Sequence, residues 1–225
     1  MDAKTLINGF TRCALIAAVF AFIAWFTTER HYQPHINLQI IERLLRPGDI
    51  VFRRGRSMES EFVINAKQDS RYSHAGIVVE RGGQLLIAHA APSESPEEGD
   101  VARLTRISDF FAPERATNAA IYRLNSSNQI ESDRSARSAS LQAKHMADLA
   151  IPFGLTFDAN SNNSVYCTEF IRRAYALAGV DLAVHPSEVN IASIKRTILL
   201  PEDLTKSPKL SAVASGISLI DIDRH

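Results

Sequence analysis

The chain has 225 residues, 45% of them hydrophobic and 22% charged, a composition typical of a folded domain that excludes a disordered or fibrous chain. Lysine plus arginine and aspartate plus glutamate each total 25, so the formal net charge is zero. Because nucleic-acid binding favours a basic excess, we expect no nucleic-acid partner. Two cysteines are too few for a disulfide scaffold or a Cys-rich metal site.

The first feature along the chain is an apolar segment near the N-terminus. It is uncharged from Cys13 to Phe26. Extended back to Leu6 it covers about 21 residues, roughly 31 Å as a helix, which matches the hydrocarbon core of a membrane. Lys4 and Arg12 precede most of the segment, a bias that favours a cytoplasmic N-terminus.

We interpret residues 1–30 as an N-terminal membrane anchor or signal segment, and residues 37–225 as one folded domain. An uncleaved anchor is favoured because no small-residue cleavage site follows Phe26; a cleaved signal peptide and a buried core helix are the alternatives. The anchor predicts a single-pass protein of the inner (cytoplasmic) membrane, with its domain on the extracytoplasmic, periplasmic side.

Hydrophobic spacing predicts short strands followed by longer helices in the domain. The predicted helices are Leu38–Leu45, Glu59–Lys67, Ser135–Ala150, Cys167–Ala178 and Pro201–Leu204, and the predicted strands are Asp49–Arg53, His74–Arg81, Gln84–Ala90, Val101–Arg106 and Ala119–Leu124. Asn125–Arg134 and Gly154–Val165 are predicted to be polar loops. Strands and helices grouped in this way favour the α+β class, with an antiparallel sheet packed on helices.

Cys167 lies at the predicted start of an amphipathic helix, directly after a polar loop. The unpaired N–H groups and the positive dipole end of a helix start stabilise a thiolate, so we expect the thiol pKa to fall from about 8.5 toward 3.5–7.5. The same N–H groups are suited to hold the oxyanion of a tetrahedral intermediate. The alternative is a buried cysteine that acts as a small hydrophobic residue.

Two histidines lie at the same end of the predicted hairpin. A two-residue turn at Gly82-Gly83 pairs Arg81 with Gln84, and this register makes His74 and His89 diagonal neighbours on one face of the sheet. A cysteine nucleophile needs a base, and the base needs an orienting partner. The two imidazoles are therefore candidates for these roles.

A zinc site is an alternative use of the same residue types. Cys167, His74 and His89 would be ligands, with His145 or His185 as a fourth. No pair of these residues has the short spacing of a zinc motif, so the sequence favours the catalytic interpretation.

Four short motifs together resemble the circularly permuted papain-like amidases, the NlpC-type cysteine peptidase group related to lecithin retinol acyltransferase. A Pro-Gly-Asp strand spans residues 47–52, and a Ser-His-x-Gly-Ile-Val strand spans residues 73–78. A third polar residue stands on the partner strand at His89, and an aromatic-Cys-Thr-Glu helix start spans residues 166–169. The histidine precedes the cysteine, which is the order of the permuted enzymes. The resemblance covers about residues 44–204.

This resemblance implies an α+β, permuted papain-like (NlpC-type) fold for residues 37–225, with Cys167 as nucleophile and His74 as base. His89 would orient the His74 ring, and Tyr166 would assist the backbone N–H groups in holding the oxyanion. Many bacterial members carry Glu at the third position, whereas acyltransferase relatives carry His. We expect the acid limit of activity near the ordinary imidazole pKa of about 6.5.

The implied activity is that of a cysteine-dependent hydrolase, an amidase or peptidase, that forms an acyl-thioester. The implied substrate is a cell-envelope peptide or a lipid-linked acyl group, and no cofactor or metal is expected. An acyltransferase or thioesterase on the same fold is the alternative, and a non-catalytic binding domain is a further one. The sequence does not determine the oligomeric state.

Overall fold

The computed structural model describes residues 35–67, 70–93, 99–154, 163–191 and 194–219. Contacts within the chain separate residues 1–34 from residues 35–225. The predicted anchor, residues 1–30, lies outside the described residues. Within the described ranges, no helix combines the length and the apolar character needed to cross a bilayer.

The described residues form an α+β domain built on antiparallel strands, as the sequence predicts. In chain order the elements are α1 (His35–Leu44), β1 (Ile50–Gly55), α2 (Met58–Asn65), β2 (His74–Arg81), β3 (Gln84–Ala91), β4 (Val101–Arg106), α3 (Ile107–Phe110), β5 (Ala116–Leu124), α4 (Gln129–Asp148), α5 (Cys167–Leu177), β6 (Ser187–Ile191), β7 (Ile194–Ile198), α6 (Pro201–Thr205) and β8 (Leu210–Ser218). Six strands form one sheet in the order β4-β3-β2-β1-β5-β8, and β6 pairs with β7 separately.

The central strands of the large sheet are buried on both faces, and they alternate their side chains between two apolar clusters. Ile77 and Val79 of β2 pack with α4 and α5 in one cluster, which includes Phe170 of α5. Val78, between them, packs in the other cluster with Phe110 of α3. The central strands are therefore held between helices on both sides.

The β2–β3 hairpin has the predicted register. Arg81 pairs with Gln84 and the ladder continues to Ile77 opposite Ala88. Gly82 and Gly83 have φ angles of 59° and 78°, the left-handed values that a two-residue hairpin turn requires and that glycine adopts readily. This register is the feature of the fold on which the candidate site depends.

Several predicted boundaries are wrong. Part of the loop predicted over Asn125–Arg134 forms the first turns of α4, which begins at Gln129. Asn128 caps this helix, because its side chain accepts a hydrogen bond from the Glu131 amide. The helix α3 and the strands β6, β7 and β8 were not predicted. Most of the predicted loop Gly154–Val165 lies outside the described residues.

Candidate active site

The two hairpin histidines are in direct contact. His74 Nε2 and His89 Nδ1 are 2.8 Å apart, a hydrogen bond in which one ring donates and the other accepts. His74 is 8% exposed and His89 is fully buried. Gly76 lies on β2 close to His89. A Cβ at this position would lie 2.5 Å from the Ile87 side chain and 3.2 Å from His89 Cβ, so a glycine here allows β2 and β3 to approach closely beside the histidines.

The hydrogen-bonded chain continues to a third strand. His89 Nε2 lies 2.8 Å from Thr105 Oγ1, and Thr105 is a residue of β4. Since Thr105 pairs with Ile87, it is the diagonal neighbour of His89 on the side opposite His74. The chain His74–His89–Thr105 thus crosses three adjacent strands. Thr105 has no signal in the sequence, because a single threonine in a strand forms no motif and local patterns do not fix the β3–β4 register.

An arginine and a phenylalanine pack around the imidazoles. Arg53 lies opposite His74 in the β1–β2 ladder, is 3% exposed, and donates from Nη1 to the Phe110 carbonyl at 2.8 Å. The Phe110 ring has its centroid 5.6 Å from that of His74 and 5.2 Å from that of His89. The Arg53 guanidinium carbon lies 4.6 Å from the Phe110 centroid. This packing fixes both rings and shields His89 from solvent, while His74 keeps access to the cleft.

Burial lowers the pKa of both histidines well below 6.5. For His74 the loss of hydration is the largest cause, followed by the positive charges of Arg53 and Arg103. For His89 burial is again the largest cause, followed by His74 and the same arginines. Both rings are therefore neutral at pH 7, and the expected acid limit near 6.5 is corrected to a lower pH.

Cys167 and His74 line the same cleft, which has a volume of about 390 Å³. Cys167 is the first residue of α5 and is half-buried. The Ala75 N–H, next to His74, is within hydrogen-bonding reach of the sulfur. Since Nε2 of His74 is engaged with His89, Nδ1 is the nitrogen left to receive the thiol proton.

The expected low thiol pKa of Cys167 is wrong. Desolvation raises the pKa of Cys167 to about 11, although the backbone N–H groups of Ala75 and Thr168 and the charge of Arg53 each lower it. The helix start therefore acts on the thiol in the predicted direction, but the burial of the sulfur outweighs it. The directions of these shifts favour a neutral thiol and neutral imidazoles at pH 7.

Two neighbouring residues have their hydroxyl groups engaged elsewhere. Tyr166 is 2% exposed and its hydroxyl accepts a hydrogen bond from the Leu199 amide at 3.3 Å, while burial raises the pKa of Tyr166 to about 12. Tyr166 is not among the described residues that line the cleft. Ser73 accepts a hydrogen bond from the Gly55 amide at 2.8 Å, which ties β1 to β2.

The order of these elements, with a sheet histidine before a helix-start cysteine, defines the class of permuted papain-like cysteine hydrolases. Comparison with known families agrees: the model for permuted papain-like amidase enzymes of the YaeF/YiiX, C92 family matches residues 44–214. The chain therefore belongs to this permuted papain-like amidase family, a family of cysteine hydrolases. No curated protein matches the sequence.

A solved structure has the same fold. The crystal structure of metalloprotein yiiX from Escherichia coli O157:H7 is similar with a TM-score of 0.59 and 19% sequence identity. The match covers 76% of this chain and 97% of that chain. At this identity the similarity establishes the fold and no more.

The zinc alternative finds no support in the described residues. Within those ranges, no group of three or more histidine, cysteine, aspartate or glutamate side chains is placed to hold a metal ion. His145 and His185 are exposed, and His74 and His89 direct their facing nitrogens at each other. The described side chains thus do not fit the metal that the name of the yiiX structure implies for that protein.

Proposed function

We propose that the protein hydrolyses an amide bond through an acyl-thioester on Cys167, with His74 as the base and His89 as its orienting partner. The observation that carries the proposal is the shared cleft, which presents the Cys167 thiol and the His74 imidazole together while a buried hydrogen bond holds the far side of that imidazole. A nucleophile, a base and an orienter in this relation are the minimum set for nucleophilic acyl transfer.

The first half of the reaction forms the acyl-enzyme. His74 Nδ1 takes the thiol proton as the Cys167 sulfur attacks the carbonyl carbon, and the carbonyl electron pair becomes an oxyanion. Backbone N–H groups at the start of α5 supply the donors for that oxyanion. When the intermediate collapses, the C–N bond breaks and the imidazolium gives its proton to the leaving amine.

The second half releases the acid. Water attacks the thioester carbon while His74 takes one of its protons, and collapse breaks the C–S bond. The proton held by His74 then returns to the sulfur. Because the thiol and both imidazoles are neutral in the free protein, charge separation arises only as bonds to the substrate form, which places the stabilising interactions in the transition state.

For the substrate we propose a cell-envelope peptide or a lipid-linked acyl group. Family membership supports an amide substrate, and the apolar segment Cys13–Phe26 supports a position beside the membrane. In this proposal the protein is anchored in the inner membrane by residues 1–30, with the domain on the periplasmic side. Protease added to spheroplasts is expected to digest the domain; protection, or a mature N-terminus near Thr27, would contradict the anchored topology.

The decisive experiment is to trap the acyl-enzyme. The protein is mixed with an acyl p-nitrophenyl ester, and separately with a cell-envelope extract, quenched in acid after short times and analysed by peptide mass. We expect an acyl adduct on Cys167 and none in Cys167→Ala, whose turnover should be abolished while its fold is retained. Parental turnover by Cys167→Ala would reject the proposal.

An acyltransferase is the second candidate, because the orienting position carries His89, as in acyltransferase relatives, instead of a carboxylate. The two candidates share the acyl-enzyme and differ in the acceptor. Adding a primary amine to the ester assay separates them: a hydrolase releases mainly free acid, whereas a transferase forms mainly the amide. A binding domain would form no adduct with either probe.

A further inference from the structure

Thr105 ends the buried hydrogen-bonded chain that begins at the cleft. Its Oγ1 is 2.8 Å from His89 Nε2, and His89 is fully buried, so this ring nitrogen relies on the threonine hydroxyl instead of solvent. A buried ring nitrogen without a partner carries the full cost of its lost hydration. The hydroxyl is therefore coupled to the protonation pattern of both imidazoles.

When both imidazoles are neutral, two arrangements of the protons satisfy the hydrogen bonds that link His74, His89 and Thr105. In the first, His74 Nε2–H donates to His89 Nδ1 and His89 Nε2–H donates to Thr105. In the second, every donor and acceptor is exchanged, so Thr105 donates to His89 Nε2 and the His74 proton lies on Nδ1. Only the first arrangement leaves His74 Nδ1 with a lone pair to accept the thiol proton.

When His74 is protonated to the imidazolium, only one of these proton arrangements is possible. Once His74 has taken the thiol proton, both of its nitrogens carry hydrogen, so Nε2–H needs an acceptor at His89 Nδ1. The His89 proton must then lie on Nε2, where Thr105 Oγ1 is the acceptor. An interaction that is required in the charged state, and optional in the neutral one, lowers the barrier to reaction.

We propose that Thr105 is a positioning residue that supplies the acceptor required for the base-competent tautomers of His74 and His89. The expected effect of Thr105 on kcat rests on the proposed function, whereas its effect on the His74 and His89 tautomers does not. Thr105 does not line the cleft, so its effect is transmitted through His89.

Thr105→Val keeps the shape of the side chain and removes the acceptor. We expect kcat for ester or anilide hydrolysis to fall by about threefold to fivefold, less than on removal of His89 itself, with KM nearly unchanged. The acid limb of the kcat profile should move to lower pH, because the His74 imidazolium loses stabilisation. Thr105→Ser should restore both. The matched control is Thr117→Val on β5, whose hydroxyl donates at 3.4 Å to the Arg54 carbonyl.

The charged side chains near the His74–His89–Thr105 hydrogen bonds are the same in all these variants. The charges that act on His89 come from His74 on β2, Arg53 on β1, Arg103 on β4 and Arg115 before β5. None of them is altered in Thr105→Val, so a shift of the acid limb reports the lost hydroxyl. Rescue by serine excludes a loss of packing as the cause.

Nitrogen-15 NMR of histidine-labelled, full-length protein tests the tautomers directly. At neutral pH we expect both His74 and His89 to be protonated at Nε2 and unprotonated at Nδ1, and Thr105→Val to lose this pattern. Rings protonated at Nδ1 in the parental protein, or a valine variant with parental tautomers, kcat and acid limb, would overturn the inference. If instead Cys167→Ala kept its activity, the proposed function would fail while the tautomer result stood.

Discussion

The start of α6 and the candidate active site hold their buried polar groups in opposite ways. At the start of α6, Asp203 is 4% exposed, and its carboxylate accepts hydrogen bonds from Lys67 Nζ at 2.6 Å and from the Leu200 amide at 3.0 Å. Ser187 donates to the same carboxylate from its hydroxyl and its amide. The buried charge at α6 is therefore matched by a cation and by neutral donors.

In the candidate active site, the nucleophile, the base and the orienting residue are uncharged. Burial lowers the pKa of His74 and His89 and raises that of Cys167, so each group is neutral at pH 7. At α6 the buried carboxylate is held by its hydrogen-bond partners, whereas the candidate active site is arranged for a charge that forms only during reaction. Substitutions at the two places should accordingly affect different properties.

Removing the base should have the largest effect. His74→Gln keeps a polar side chain of similar size but cannot accept the thiol proton at neutral pH, so we expect kcat/KM to fall about 10²- to 10⁴-fold. Because the substitution also removes ring packing against Phe110, the thermal midpoint is recorded to verify that the variant is folded at the assay temperature. The matched control is His145→Gln, at an exposed position of α4, for which parental kinetics are expected. A His74→Gln variant with parental kcat/KM would place the base elsewhere.

Changing the orienting residue should lower kcat by less, and the direction in which the acid limb of the pH profile moves can be predicted. His89→Ala should lower kcat on the order of tenfold, because the His74 ring loses its partner. His89→Glu would place a negative charge beside His74, stabilise the imidazolium and raise its pKa, so the acid limb of the profile should move to higher pH. An unmoved acid limb in the glutamate variant would separate His89 from the base.

A substitution at the start of α6 should lower the stability of the protein and leave its catalytic chemistry unchanged. Asp203→Asn removes the partner of Lys67 and leaves its buried hydrogen-bond donors less well satisfied, which should cost about 1–3 kcal/mol of unfolding free energy. The pH profile of kcat should stay parental. Asp181→Asn, at an exposed position, is the control. Urea titration measures the loss, and an acid limb shifted by Asp203→Asn would contradict the separation of the two regions.

Local patterns predicted the part of the fold that carries the histidines. The glycine pair at 82–83 specifies the hairpin turn, and the register then brings His74 and His89 together. The strand β8 escaped prediction because its residues, rich in Ala, Ser and Gly, have low strand propensity and form a strand through pairing with β5 at the sheet edge. The four-residue helix α3 is too short for a periodic signal.

The candidate site was predictable in residue type and less so in its electrostatics. Cys167 and the two histidines follow from motif and register, but the thiol pKa depends on how deeply the sulfur is buried, which no local pattern reports. Thr105 and Phe110 reach the site through the β3–β4 ladder and α3. Their positions depend on tertiary packing, so sequence spacing does not reveal them.

The pH dependence of Cys167 alkylation tests the neutral ground state most directly. The rate of reaction with iodoacetamide is measured from pH 5 to 11 in the absence of substrate, with Cys167→Ala as the blank for Cys13. Since burial raises the pKa of Cys167 to about 11, we expect slower alkylation at pH 7 than for a free thiol, and a rate that rises throughout the alkaline range. A fast plateau between pH 5 and 8 would instead reveal a preformed thiolate–imidazolium pair and contradict the account.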